Sequence, residues 1–205
     1  IATSTATLQE KLDEQFDVKL VQYAVADIKN IGPEAFAWSL MEATGIIDAQ
    51  RNAVVAELDK NSPLSDADKQ DSAKLAARDM AIEKGVHAKL VGVENEFIGL
   101  YANAAGQPQD EFISTVDQAL FFSNGGRVRG WLNPSGGNLV DRLLKTEESG
   151  ALANELYLAV FTRYPSEPEV ARVTQYLADR GDQRTEAVQE MVWALLASAE
   201  FRFNH

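Results

Sequence analysis

The stretch ELYLAVFTRYPSEPEV, which begins at Glu155, restricts the fold more than any other part of the chain. Leu152, Leu156, Ala159 and Val160 recur at helical spacing. Pro165 then forbids continuation, because proline has no N–H to donate and its ring collides with the preceding turn. Directly after it, Ser166 and Glu169 stand at capping-box spacing around Pro168, which marks the start of a second helix. Val170, Val173 and Leu177 form the stripe of that helix and Gly181 ends it. The last helix carries Val188, Met191, Val192, Leu195 and Leu196, the i, i+3, i+4, i+7, i+8 pattern of a single apolar face. Amphipathic helices bury such stripes against other elements, so the C-terminus reads as a helical hairpin closing a core.

The same punctuation runs upstream. Gly32, Pro33 and Glu34 open a helix whose Phe36, Leu40 and Met41 share a face, and Gly45 after Thr44 is its stop. A second helix is expected over about 46–60, with Ile47, Val54 and Leu58 as its stripe and Asn61-Ser62-Pro63 as its break. Ser65 or Asp66 is placed to cap the long polar segment that follows, with Leu75, Ile82 and alanines as its inner face. The helical pattern continues through HAKLVGVENEFIGLYANAAG, although Gly92 and Gly99 each weaken it by up to ~1 kcal/mol relative to alanine. Ser114 with Asp117, or Thr115 with Gln118, opens another helix that Asn124-Gly125 ends. Neither β-alternation nor a fixed-period repeat is present. The expected fold is all-α: an irregular bundle of about eight helices ending in a helical hairpin. Residues 1–110 and 111–205 form its N-terminal and C-terminal helical parts within one compact domain.

Charge and residue usage narrow the function. A net charge of −12 repels the phosphates of nucleic acids and the anionic face of a membrane, so neither is expected as a partner. No apolar run approaches the roughly 18 residues that a membrane-spanning helix needs, so no insertion is expected. Without cysteine there is no thiolate nucleophile and no cysteine-based zinc site. The chain opens on Ile1 rather than methionine, as a processed chain or a piece of a longer one would.

The strings ELYLAVFTRYPSEPEV and MVWALLASAEFRFNH resemble the C-terminal domain of unknown function found in large, exported, multi-domain planctomycete proteins. The resemblance lies in Leu156, Tyr157, Leu158 and Ala159, in Arg163 and Pro165, and in the closing series Trp193, Ala194, Leu195, Leu196, Ser198, Glu200, Phe201, Asn204 and His205. Tyr164 departs from it, standing where a small or positively charged residue is more usual. VDQALFFSNG, from Val116, is similar to a further segment of the same domain. The likeness covers residues 115–205 well and the first hundred residues weakly. It implies an exported parent, periplasmic or extracellular, in which other domains are this chain's partners. It implies no established activity and no catalytic residues, and without Cys-x-x-Cys-His no haem is attached here.

Candidate chemistry is sparse. His205 invites a metal or proton-transfer role, but no second ligand stands at metal-binding spacing, and we read it as a helix-end hydrogen-bonding group. His87 reads as a surface or helix-start residue. Glu94 and Glu96, two residues apart, face different sides of a helix. Asp66, Asp68 and Asp71 lack the glycine and terminal glutamate of a calcium loop and fit a solvated helix start. Trp38, Trp193 and the Phe121–Phe122 pair fit a core, and Arg163 fits a link to the end of its own helix or to Glu167 and Glu169.

The unusual segment is NGGRVRGWLNPSGGNLVDRLLK, which is rich in glycine and basic within an acidic chain. Arg127, Arg129, Trp131, Asn133 and Asn138 are the candidate ligand-binding residues: arginine offers forked donors, tryptophan a stacking face, and glycine lets backbone N–H groups approach an anion or a sugar. The competing reading is a glycine-bent link whose arginines pair with surface acids and whose tryptophan is tucked into the core. No catalytic residue, metal or cofactor is expected. The function expected is a non-enzymatic interaction or scaffold module. The alternative is a fragment of a polysaccharide-processing enzyme, or an anion- or glycan-binding module, that uses the glycine-rich loop.

Overall fold

The computed structural model describes residues 29–102, Gln118 and residues 126–204. They form nine α-helices, one 3-10 turn and one pair of two-residue strands, so the fold is all-α. Strand β1 is Lys29–Asn30, followed by α1 (Pro33–Ala43), α2 (Ile46–Asn61), the 3-10 turn Asp68–Gln70 and α3 (Ser72–Tyr101). Then come α4 (Gly126–Trp131), α5 (Leu139–Lys145), α6 (Ser149–Phe161), α7 (Glu167–Arg180), α8 (Arg184–Leu196), α9 (Ala199–Arg202) and β2 (Phe203–Asn204). The helix expected from Ser114 or Thr115, its Asn124-Gly125 stop, the Phe121–Phe122 pair and His205 lie outside the described residues, apart from Gln118.

One apolar core runs through the bundle. Phe36, Leu40 and Met41 of α1 are buried as their spacing predicts, and so are Val188, Met191, Val192 and Leu196 of α8. Phe36 sits edge-on to Phe97 and to Tyr101 of α3, with ring centroids 5.8 Å and 5.2 Å apart. Helices α6, α7 and α8 pack on one another, α5 lies against α6 and α8, and α1 touches both α3 and α6. The capping box is formed: the Ser166 backbone N–H donates to Glu169 Oε2 at 2.7 Å, and the Glu169 N–H bonds back to the Ser166 side chain. Gly181 ends α7 as expected. Strands β1 and β2 pair antiparallel, Lys29 opposite Asn204 and Asn30 opposite Phe203. The Ile31 N–H extends that pairing to the Arg202 carbonyl at 3.1 Å, so the chain just before α1 is fastened to the chain just after α9.

Two upstream expectations are corrected. Asp71 caps α3, accepting from the N–H groups of Ala73 (2.9 Å) and Lys74 (3.3 Å). Ser65 is occupied elsewhere, its hydroxyl donating to Asp68 Oδ2 at 2.7 Å within the 3-10 turn. Asp68 also receives Lys74, and these hydrogen bonds, Lys74 first and then Ser65, hold its carboxyl down to about 2. With Asp66 paired to Lys69, each of the three aspartates has its own structural partner rather than a shared ligand. Leu75 does not face the core but is 38% exposed, because α3 begins to bury side chains only at Val86. The start of this 30-residue helix extends past the core until Ile82 packs against it, and the helix is held to α2 by ion pairs from Arg78 to Asp59 and from Arg51 to Glu83.

Gly85 marks where α2 and α3 cross. A Cβ there would stand 2.8 Å from Val54 Cγ1, whereas Gly92 and Gly99 on the same helix face open space. Gly92→Ala and Gly99→Ala should therefore each raise stability by about 0.5–1 kcal/mol through helix propensity alone. Gly85→Ala should lower it by about 1 kcal/mol, since overpacking against a stiff buried valine outweighs that gain. Chemical denaturation of the three variants checks the contrast, and equal effects at all three positions would refute the close crossing.

Candidate functional site

The glycine-rich segment folds into two short helices joined by a tight corner. In α4, Val128 is buried while Arg127 and Arg129 stay exposed. The chain then turns through Gly136 and Gly137, both in the left-handed region at φ 58° and 81°, where a Cβ would be strained. Asn138 is 2% exposed and holds the corner. Its Oδ1 accepts from the N–H groups of Asp141 (2.9 Å) and Ser135 (3.3 Å), capping α5. Its Nδ2 donates to the carbonyls of Trp131 (2.9 Å) and Asn133 (2.7 Å). Asp141 accepts from Lys145 and from the Gly137 N–H, and these bonds keep its carboxyl below the ordinary range.

The corner docks onto the α1–α2 turn. Gly45 has φ 79°, and a Cβ on it would stand 3.3 Å from Asn138 Cα. The adjoining Leu139 N–H donates to the Thr44 carbonyl at 3.1 Å. Glycine is needed at 45 for both reasons.

The five candidate residues do not converge. Arg127 reaches away to Glu96 of α3, with Nε 2.5 Å from Oε2. Trp131 is half-buried and stacks on Phe97 with centroids 6.4 Å apart at 8°. Asn138 spends its side chain on backbone groups. Two of the five do share a concavity. Arg129 and Asn133 line a groove of about 380 Å³ together with Leu132, and its opposite wall is Glu186, Gln189, Glu190 and Trp193 of α8. That volume falls within the roughly 300–1,000 Å³ typical of small-ligand sites. Gln189 bridges the walls, donating to the Leu132 carbonyl at 2.9 Å and to Asn133 Oδ1 at 3.3 Å. Glu190 accepts from Tyr176 and Arg180 at the groove's edge. No ion pair to Arg129 is formed among the described residues. Glu186, Gln189 and Trp193 were not singled out from sequence for this role. Their positions at i, i+3 and i+7 on α8 trace a second stripe beside the apolar one, and that was the available signal.

Arg163 is built into the frame. Its guanidinium meets Glu169 through two bonds (2.9 and 3.0 Å) and Glu200 through two more (2.6 and 3.0 Å), and it lies 5.2 Å and 5.4 Å from the ring centroids of Tyr157 and Phe161. The expected pairing with Glu169 is present, whereas Glu200 takes the place considered for Glu167. His87 lies on the surface in mid-helix rather than at a helix start, stacked on Trp38 at 6.0 Å and 14°. No group of three or more metal-ligating side chains occurs among the described residues, and no helix among them is long and apolar enough to cross a membrane. Compared with protein-family models, curated proteins and solved structures, the chain matches none.

Two predictions follow from these polar nodes. Asn138→Ala removes a cap and leaves part-buried backbone groups without their side-chain partner, so it should cost about 1–3 kcal/mol in urea unfolding. Asn138→Asp, which keeps the cap acceptor, should cost less. The second concerns acid. Hydrogen bonds from Arg163, then from Ser166, hold the Glu169 carboxyl down to about 2 from an ordinary 4.5. A depressed carboxyl contributes stability that is present above the ordinary value and is lost as pH falls toward about 2. Glu169→Gln should therefore be less stable than the parent at pH 7 and lose less stability between pH 4.5 and 2. Parallel acid profiles of the two proteins would contradict this.

Proposed function

We propose that this chain is a non-enzymatic interaction module of a larger exported protein, and that the groove between the Asn138 corner and α8 is where it holds an acidic or sulfated sugar. The observation that carries this reading is the composition of that one concavity. A guanidinium available for forked bonding (Arg129), an exposed amide (Asn133) and a half-buried indole (Trp193) line the same groove. Arginine recognises a carboxylate or sulfate in a planar fork, and an indole stacks on the apolar face of a sugar ring. The supporting residues sit on helices and a hydrogen-bonded corner, which suits a rigid binding surface. The exported parent and its neighbouring domains come from the resemblance of residues 115–205.

One observation favours the polysaccharide-processing reading as a second. Glu186 and Glu190 lie one turn apart on α8 and both line the groove, and carboxylate pairs perform general acid–base work on glycosidic bonds. Glu190 is held by Tyr176 and Arg180, an arrangement that supports a buttressing role over proton transfer.

Calorimetric titration with sulfated and uronate oligosaccharides tests both. Saturable binding that Arg129→Ala and Trp193→Ala each weaken about tenfold or more, with Arg127→Ala unchanged, is the expected result. Release of new reducing ends, abolished by Glu186→Gln, would replace the module by the enzyme. Binding equally sensitive to Arg127 would return the site to the face of α4.

A further inference from the structure

A second concavity lies on another side of the bundle, where α1 and the start of α2 meet the end of α6 and α9. It encloses about 690 Å³ and is lined by Ile31, Trp38, Glu42, Phe161, Thr162 and Glu200, among others. Like the Arg129 groove it is lined by one arginine and two glutamates, but here the arginine is engaged by carboxylates. The walls are aromatic and aliphatic, and His87 stacks on the Trp38 indole. The polar rim is anionic. Glu42 is exposed and forms no ion pair among the described residues. The guanidinium of Arg163 is shared by Glu200 and Glu169, so two carboxylates there face one cation. Arg51 also interacts electrostatically with Glu42, and it is hydrogen-bonded to Glu83.

Backbone geometry adds an independent observation. Thr162 lies on the cleft at φ 56°, the one non-glycine residue in the left-handed region among the described residues. It occupies the C-cap of α6, where glycine fits without steric cost and a β-branched residue is strained. Strained residues cluster at ligand sites. Here the strain sits between Phe161 of the wall and Arg163 of the rim.

We propose that this cleft binds a small organic cation, an ammonium group carried on an apolar or aromatic body. The ammonium would lie against Glu42 with Glu200 beyond it, and the body would pack on Trp38 and Phe161. Three principles favour this class over a neutral or anionic ligand. Carboxylates at the rim of an apolar cleft attract a cation more strongly than they would in bulk water. An indole face adds cation–π attraction. The charge of −12 over the whole chain raises the local concentration of cations.

Phenethylamine and its neutral counterpart 2-phenylethanol are suitable probes, followed through the indole N–H signals of the three tryptophans by NMR, with Trp38 assigned from Trp38→Phe. The amine should move the Trp38 signal at millimolar concentration and bind at least about tenfold more tightly than the alcohol. Glu42→Gln, a substitution at an exposed helical position, should remove most of that preference while leaving the helical circular dichroism unchanged. Equal binding of amine and alcohol would overturn the proposal, as would an unaltered affinity in Glu42→Gln. So would shifts confined to Trp193, or no shift at all. Loss of binding in the Arg129→Ala variant would also overturn it, because the two concavities are separate.

Discussion

The shared guanidinium of Arg163 is the interaction on which the ends of this fold depend. It stands just past α6, in the turn to α7, and its two carboxylate partners come from the first turn of α7 and from α9. A surface ion pair is usually worth little, because water screens it and two flexible side chains must be ordered. Arg163 differs in geometry: each carboxylate receives two N–H groups, and the guanidinium lies over Tyr157 and Phe161. Planar, multiply bonded arginine keeps its orientation as well as its charge. Fixing Glu200 in turn fixes α9, and α9 delivers β2 to β1 and Phe201 to the ring of Phe36 at 6.1 Å. Arg202, one residue further, lies 5.2 Å from that same ring centroid and 5.4 Å from that of Tyr101, and burial lowers its pKa. One turn between two helices thus sets where the chain before α1 meets the chain after α9.

A second polar node does the same for the middle of the chain. Apolar stripes tell helices to pack but leave their angles loose, since many crossings bury similar area. Asn138 and the Thr44–Leu139 hydrogen bond remove that freedom, because both place backbone groups against partners that admit one geometry. The Thr44 hydroxyl satisfies the carbonyls of Leu40 and Met41, at 2.7 Å and 3.3 Å, so the buried end of α1 carries its own cap. Leu139 and Val140 can then enter the core directly from the corner.

What the sequence made legible follows the range of each interaction. Helix stops, the Ser166–Glu169 box and the apolar stripes depend on residues within a turn or two, so spacing alone exposed them. The Arg163–Glu200 pair spans 37 residues and could not be read from spacing. The cap of α3 failed for a different reason: Ser65 and Asp66 are competent caps, but Ser65 is committed to Asp68, and Asp71 lies closer to the helix that forms. Leu75 was misplaced because a stripe reports which face is apolar, not whether anything packs against it. In the glycine-rich segment, composition drew attention to five residues that the fold does not bring together. Arg127, Trp131 and Asn138 are absorbed by structure, and the groove is completed by α8 residues hidden beside a helix that read as pure core.

The two concavities ask opposite things of the same electrostatic field. A charge of −12 opposes an anionic ligand at long range, yet at physiological salt charges more than about 8 Å apart are largely screened. Within that distance local pairing decides: each concavity is lined by one arginine and two glutamates, and they differ in which of these groups is engaged. Arg129 stands in its groove without an ion pair among the described residues, with Glu186 on the opposite wall, and the proposed anion site rests on that pairing. Around the Trp38 cleft the reverse holds: Arg163 is divided between two carboxylates and Glu42 is left over, so local and global charge act in the same direction. Local pairing, rather than net charge, is thus the ground on which opposite ligand signs are proposed for the two concavities. The anion site proposed for the groove rests on Arg129 standing outside the ion-pair network that holds Arg51, Arg78, Arg127, Arg142, Arg163 and Arg180.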